Sequence, residues 1–167
     1  VTADDDALLR RAIEVAWSSR RHGNHPFGAV LGGPHGQLLL EAENTRLTER
    51  DCTGHAETNL MRLATRRLEL EQLARCTLYA STEPCAMCAG AIYWGNVGRV
   101  VFGLPEAALA ELVGADPANP VLDLPCREVF ARGGRVVEVV GPLLVAEARA
   151  VHEGYWLEGY WGSGPGR

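Results

Sequence analysis

No apolar run in these 167 residues approaches the roughly 18 needed to span a bilayer, so no membrane helix is expected. Basic residues are in deficit: 16 Lys and Arg stand against 21 Asp and Glu, a formal net charge of −5. That balance disfavours nucleic acid, or any long polyphosphate, as the main ligand. There is no internal repeat, low-complexity tract or compositional break, so neither a linker nor a second domain is expected. The first residues are acidic where a secretory leader would be basic, which predicts a cytoplasmic protein. Cysteine is sparse and odd in number, five in all, and a chain of this length buries roughly two thirds of its unfolded surface without disulfides. Metal binding or catalysis is therefore the better use of Cys52, Cys76, Cys85, Cys88 and Cys126. What is present, 47% hydrophobic residues without gaps, predicts one domain over 1–167.

Periodicity predicts a helix over 4–21, with Leu9, Ile13, Ala16 and Trp17 on one stripe and Asp4, Asp5 and Asp6 at the positive end of its dipole. Residues 27–44 read as strand, turn, strand around a Gly-Gly-Pro-His-Gly cluster. A second helix is expected from Thr53 to about Arg67, a strand over 76–82, a small-residue helix over 85–94, and strands over 97–103 and 135–141. The proline-rich stretch 104–127 reads as short helix plus loop, and a last helix begins at Pro142 and runs to Trp156. Strands alternating with helices predict a layered α/β sheet.

The chemistry concentrates in His55-Ala56-Glu57 and, thirty residues on, Pro84-Cys85-Ala86-Met87-Cys88. Each half opens a predicted helix. Cys85 and Cys88, three apart, share one face of a first turn, where the helix dipole favours the thiolate that binds zinc. One imidazole and two thiolates make three ligands for Zn²⁺ and leave the fourth tetrahedral position to water, the arrangement of a catalytic site. Glu57, beside the metal and not on it, is placed to carry protons during hydrolytic deamination of an amidine-like ring carbon. The alternative is a closed structural site with Cys52, Cys76 or Cys126 as fourth ligand, Cys52 being the nearest in sequence.

These residues resemble the cytidine deaminase-like superfamily. Residues 25–31 (HPFGAVL), 42–44 (AEN), 53–58 (TGHAET), 78–94 (LYASTEPCAMCAGAIYW) and 99–103 (RVVFG) are similar to the branch of bacterial guanine deaminases, tRNA adenosine deaminases and fungal-type cytosine deaminases. The resemblance implies a three-layer α/β fold, a central mixed sheet of about five strands flanked by helices. It implies zinc on His55, Cys85 and Cys88, with Glu57 as proton shuttle. It also implies Phe27 stacking on the substrate ring, Asn44 bonding it, and Glu83 and Trp94 in the pocket wall. The segment at about 142–167 looks like the aromatic lid with which guanine deaminases of this family close their pocket, swapped between subunits of a homodimer. Glu153, Tyr155 and Trp156 would then face substrate. The chain departs from these relatives at Cys52-Thr53-Gly54, where they carry Asp-Pro-Thr, and at Ala86, where proline is common.

The expected substrate is thus a small nucleobase, nucleoside or related aminoheterocycle, guanine first and cytosine second. A tRNA adenosine deaminase ranks third, because its phosphate contacts would have to come from Arg20, Arg21, Arg62, Arg66 and Arg67. A non-catalytic, zinc-stabilised binding module would keep the cysteines but has no use for Glu57.

Overall fold

The computed structural model describes residues 1–114 and 120–156. Helix α1 (Ala3–Arg21) starts at a reciprocal capping box, in which the Asp5 amide donates to Thr2 Oγ1 (3.2 Å) and the Thr2 amide to Asp5 Oδ2 (2.8 Å). Leu9, Ile13 and Ala16 are buried as expected. Trp17 is not: it is 37% exposed, with the Arg20 guanidinium 5.5 Å from its ring. The buried face also takes in Leu8, Ala12 and Val15, which leaves position 17 just past its edge.

Strands β1 (Gly28–Gly32), β2 (Leu38–Glu43), β3 (Thr77–Thr82), β4 (Arg99–Leu104) and β5 (Glu138–Val140) form one sheet in the order β2-β1-β3-β4-β5. β1 is antiparallel to both neighbours, while β3, β4 and β5 run parallel, so the sheet is mixed as expected. Alternation along the strands builds two cores. Ala29, Leu31, Leu78, Ala80, Val100 and Phe102 face one; Val30, Tyr79 and Val101 face the other. The first is covered by α2 (Ala56–Ala64), α3 (Leu70–Leu73), α4 (Ala86–Trp94) and α6 (Cys126–Ala131), the second by α1, α5 (Glu106–Val113) and α7 (Val145–Ala150). A Cβ at Gly28 would collide with the backbone of Ala12 and Ala16, so only glycine lets α1 lie this close to β1.

Asp5 fastens α1 to the sheet. Its buried carboxylate accepts from Arg99 Nη1 (2.6 Å), Arg99 Nη2 (3.1 Å) and the Tyr79 hydroxyl (3.0 Å). The guanidinium holds the Asp5 carboxyl well below the usual carboxylate range.

Three expected elements are shorter than periodicity suggested, α2 among them, which covers Ala56–Ala64 of the expected 53–67. β5 keeps only 138–140 of the predicted 135–141. The last helix is confined to α7: Leu144 precedes it at φ 50°, and beyond Ala150 the chain runs through successive turns, with Gly154 at φ +67°. Residues 157–167 of the expected lid lie outside the described residues, as does Pro117. Among the described residues no helix is long and apolar enough to cross a membrane.

Candidate active site

The two halves of the motif meet because each sits at a helix start. Asp51 Oδ1 accepts from the Thr53 amide (2.8 Å) and hydroxyl (2.7 Å), which holds 51–54 in a turn and delays α2 from Thr53, where it was expected, to Ala56. His55 is thereby left at the N-cap in extended conformation (φ −75°, ψ 148°), and Cys85 occupies the same position on α4 (φ −64°, ψ 170°). Both side chains reach off the helix ends. His55 Nδ1 lies 3.6 Å from Cys85 Sγ and 3.6 Å from Cys88 Sγ, and the donor atoms all fall within 4.8 Å of one another. Zinc bonds of about 2.0 Å to nitrogen and 2.3 Å to sulfur, at the tetrahedral angle, put those atoms about 3.6 Å apart. The donor set fits zinc by type and by spacing. Cys52, exposed, and Cys76 and Cys126, buried, stand outside it.

The thiols divide their roles. The neighbouring Cys88 and His55 side chains favour the Cys85 thiolate, while Cys85 and burial push Cys88, whose thiol donates to Glu57 Oε2, up; His55 is raised chiefly by its bond to Cys85. Glu57, on the first turn of α2, is 6% exposed, and its Oε2 lies 3.4 Å from Cys88 Sγ. Burial, reinforced by the Cys85 charge, pushes its carboxyl up to about 7.

The loop after β2 borders this group. The Thr45 amide donates to the Gly54 carbonyl (2.8 Å), and a Cβ at Gly54 would press to 2.9 Å from Thr45 Oγ1. Asn44 Oδ1 accepts from the Arg46 amide (3.0 Å), which fixes the orientation of the side-chain amide. Its Nδ2 is then a buried donor with no hydrogen-bond partner among the described residues. Phe27 is joined to the same residue, its carbonyl accepting from the Asn44 amide (3.2 Å).

The C-terminal aromatics close back on this side of the fold. The Trp156 ring lies nearly parallel to two imidazoles, 5.5 Å and 20° from His25 and 5.9 Å and 13° from His152, and 6.2 Å from Phe27. The partners fix both tautomers. Trp156 Nε1–H donates to His152 Nδ1 (3.2 Å), so Nε2 carries the proton that faces Thr82 Oγ1 (3.3 Å). Arg46 Nη1 can only donate to His25 Nε2 (3.3 Å), so the His25 proton is on Nδ1, facing the Tyr155 hydroxyl (3.0 Å). Burial, with Arg46 nearby, lowers His25 to about 3; burial, with Arg20 nearby, lowers His152 to about 4.

His55, Glu57, Cys85 and Cys88 are therefore together, with Asn44 beside them and Phe27 against the C-terminal aromatics. The other expected residues are placed as follows. Trp94 is 82% exposed and meets Tyr93 edge-on, so the structure does not bring it to the site. Glu153 is exposed and engages the fold through its carbonyl, which accepts from Arg20 Nη1 (2.9 Å). Tyr155 is buried in packing, with the Arg20 guanidinium 5.5 Å from its ring. Glu83 is buried, but its carboxylate oxygens meet backbone amides: Oε2 accepts from Glu106 (3.2 Å) and Oε1 from Cys126 (3.2 Å). The sequence reading passed over Arg46, His25, His152 and Glu106. Burial first, then the charges of Cys85, Glu57 and Glu83, push Glu106 up to about 7, which marks it as a neighbour of the site. Its signal was its place, immediately after the carboxyl end of β4.

Comparison with known proteins agrees with this arrangement. Residues 2–104 match the family of the cytidine and deoxycytidylate deaminase zinc-binding region. The sequence is 40% identical over 153 residues to a probable cytosine deaminase of Schizosaccharomyces pombe, covering 91% of this chain and 92% of that protein. It is 38% identical over 107 residues to the guanine deaminase of Bacillus subtilis, covering 64% and 68%. Among solved structures, that of a guanine deaminase from Nitrosomonas europaea superimposes with a TM-score of 0.72 at 25% identity, covering 91% of this chain and 83% of that one.

Proposed function

Because the chain belongs to the cytidine and deoxycytidylate deaminase zinc-binding family, we propose that it hydrolytically deaminates a free nucleobase, with guanine as the first candidate. The observation that carries this reading is Glu57, a buried carboxylate beside the His55–Cys85–Cys88 group and outside its donor set. Zinc, held by those three side chains, would supply an activated water at neutral pH. Glu57 Oε2 takes the proton as the water oxygen bonds to the amino-bearing ring carbon and passes it to the adjacent ring nitrogen. It then takes the proton of the new hydroxyl and gives it to the amine, so the ring carbonyl forms as the carbon–nitrogen bond breaks and ammonia leaves. A carboxyl near 7 suits both directions of transfer. A zinc-stabilised binding module would gain nothing from burying that group.

Asn44 Nδ2 supports the same reading. A buried donor without a partner is disfavoured by about 1–3 kcal/mol, and a ring carbonyl or ring nitrogen would satisfy it. Small size is favoured over a tRNA loop by the charge of −5, and by Arg20 being spent on the Val151 (2.7 Å) and Glu153 carbonyls. Cytosine is the second reading, favoured by the similarity to the S. pombe protein, which extends over 91% of this chain against 64% for the B. subtilis enzyme. The outward face of α4, with Met87 37% and Trp94 82% exposed around Gly90 and Ala91, supports the homodimer expected from the sequence.

Ammonia release by the zinc-loaded protein tests the reading against guanine, cytosine, adenine, their nucleosides, aminotriazines and an adenosine-containing tRNA stem-loop. Turnover of guanine or cytosine well above that of the nucleosides and the stem-loop is expected. Release from the stem-loop alone, or from no compound, would overturn it.

A further inference from the structure

Glu83 stands at the carboxyl end of β3, two residues before Cys85, and its amide donates to the Leu104 carbonyl (2.8 Å) at the corresponding end of β4. From there its side chain reaches two chain segments that return to the site from far away in sequence. Helix α5 begins at Glu106 behind Pro105, and α6 begins at Cys126 behind Pro125. A proline at the N-cap has no side-chain acceptor, and neither helix is capped by its own N-cap residue. The carboxylate of Glu83 takes over at both places, one oxygen on the amide of Glu106 and the other on the amide of Cys126, each at 3.2 Å. At 8% exposure these charge-assisted bonds are shielded from water, and a negative charge at helix starts is favourable in itself.

We infer that Glu83 is a positioning residue for the reaction: its carboxylate caps α5 and α6 together and thereby ties the first residues of both helices to the end of β3, two residues before Cys85. The Glu106 carboxyl lies in the field of Cys85, Glu57 and Glu83, on elements other than those that carry the metal donors and the proton shuttle. Releasing the caps leaves His55, Glu57 and the cysteines in place and lets the opposite wall of the site drift. A displacement of about 1 Å in such a wall is enough for a ~10²-fold loss. The role also explains why a carboxylate is needed. Glutamine at 83 keeps one acceptor and turns an N–H against the second amide, so it restores one cap and not the other.

The inference rests on the deaminase reading for its kinetic consequence, and on the fold alone for the caps. The test compares Glu83→Ala and Glu83→Gln with the wild-type protein, all zinc-loaded, by zinc content, by kcat and KM for the best substrate of the ammonia panel, and by amide hydrogen exchange. Zinc content is expected to be unchanged. Glu83→Ala should lose about 10²-fold in kcat/KM, most of it in KM, with Glu83→Gln intermediate. Exchange at the Glu106 and Cys126 amides should rise at least tenfold in Glu83→Ala, and at one of the two in Glu83→Gln. Unchanged exchange at both amides overturns the inference, as does a loss that follows zinc content or falls on kcat alone. Should the alanine variant not fold, the one-sided exchange of Glu83→Gln decides. Should the wild-type protein turn over no compound, the deaminase reading falls, while the exchange result still decides whether Glu83 holds the two helix starts.

Discussion

The indole of Trp156 donates its Nε1–H to Nδ1 of His152 at 3.2 Å while the two rings lie nearly parallel, 13° apart. The bond needs an unprotonated Nδ1, so the turn that brings the C-terminal segment back over the fold depends on a neutral histidine. His25, whose ring lies 5.5 Å from the indole, is neutral for a similar reason, because Arg46 donates to its Nε2.

Acid should therefore weaken the part of the stability that these two neutral imidazoles contribute. Both imidazoles are depressed in the folded state, to about 3 and about 4, while in the unfolded chain they take up protons near 6.5. Between those limits the unfolded state binds more of these two protons, so the imidazole contribution to stability is intact above about 6.5 and falls as the pH drops toward 4, while Glu57 and Glu106, raised to about 7, act with the opposite sign. Urea midpoints of the wild-type protein, His152→Gln and His25→Gln between pH 7 and 4.5 check this. The stability difference between wild type and each variant should shrink as the pH falls, and a difference that does not change with pH would contradict it.

Trp156→Phe keeps an aromatic ring beside the imidazoles and removes the N–H. A loss of about 1 kcal/mol in urea denaturation is expected, with zinc binding unchanged. Wild-type stability would mean that the bond to His152 contributes nothing.

Asp5→Ala should be far more damaging, although it is remote from the metal group. It removes the shared acceptor of Arg99 and Tyr79 and half of the α1 capping box, and is expected to destabilise by about 3 kcal/mol. Thermal or chemical denaturation reads the effect. A change under 1 kcal/mol would show that α1 is fastened by its apolar face alone.

What could be read in the sequence, and what could not, follows from range. His55, Glu57, Cys85 and Cys88 were legible because two local patterns, each at a helix start, carry donors whose chemistry admits few uses. The two short apolar runs around the Gly-Gly-Pro-His-Gly cluster gave β1 and β2 in the same way. The capping bonds of Glu83 were not legible because its partners are 23 and 43 residues away. The exposure of Trp94 was not legible because a helix as uniformly apolar as α4 has no polar face to say which side is outside. The last helix was drawn too long because Gly154 and the contact of Tyr155 with His25, 130 residues earlier, bend the chain away from helical periodicity.

The central claim, that Glu57 moves protons beside zinc held by His55, Cys85 and Cys88, is tested most directly by zinc content and ammonia release measured together on the wild-type protein and Glu57→Gln. About one zinc per chain is expected in both, with turnover in the variant lower by ~10² to 10⁴. Near wild-type turnover by zinc-loaded Glu57→Gln, or loss of the metal on that substitution, would contradict the account.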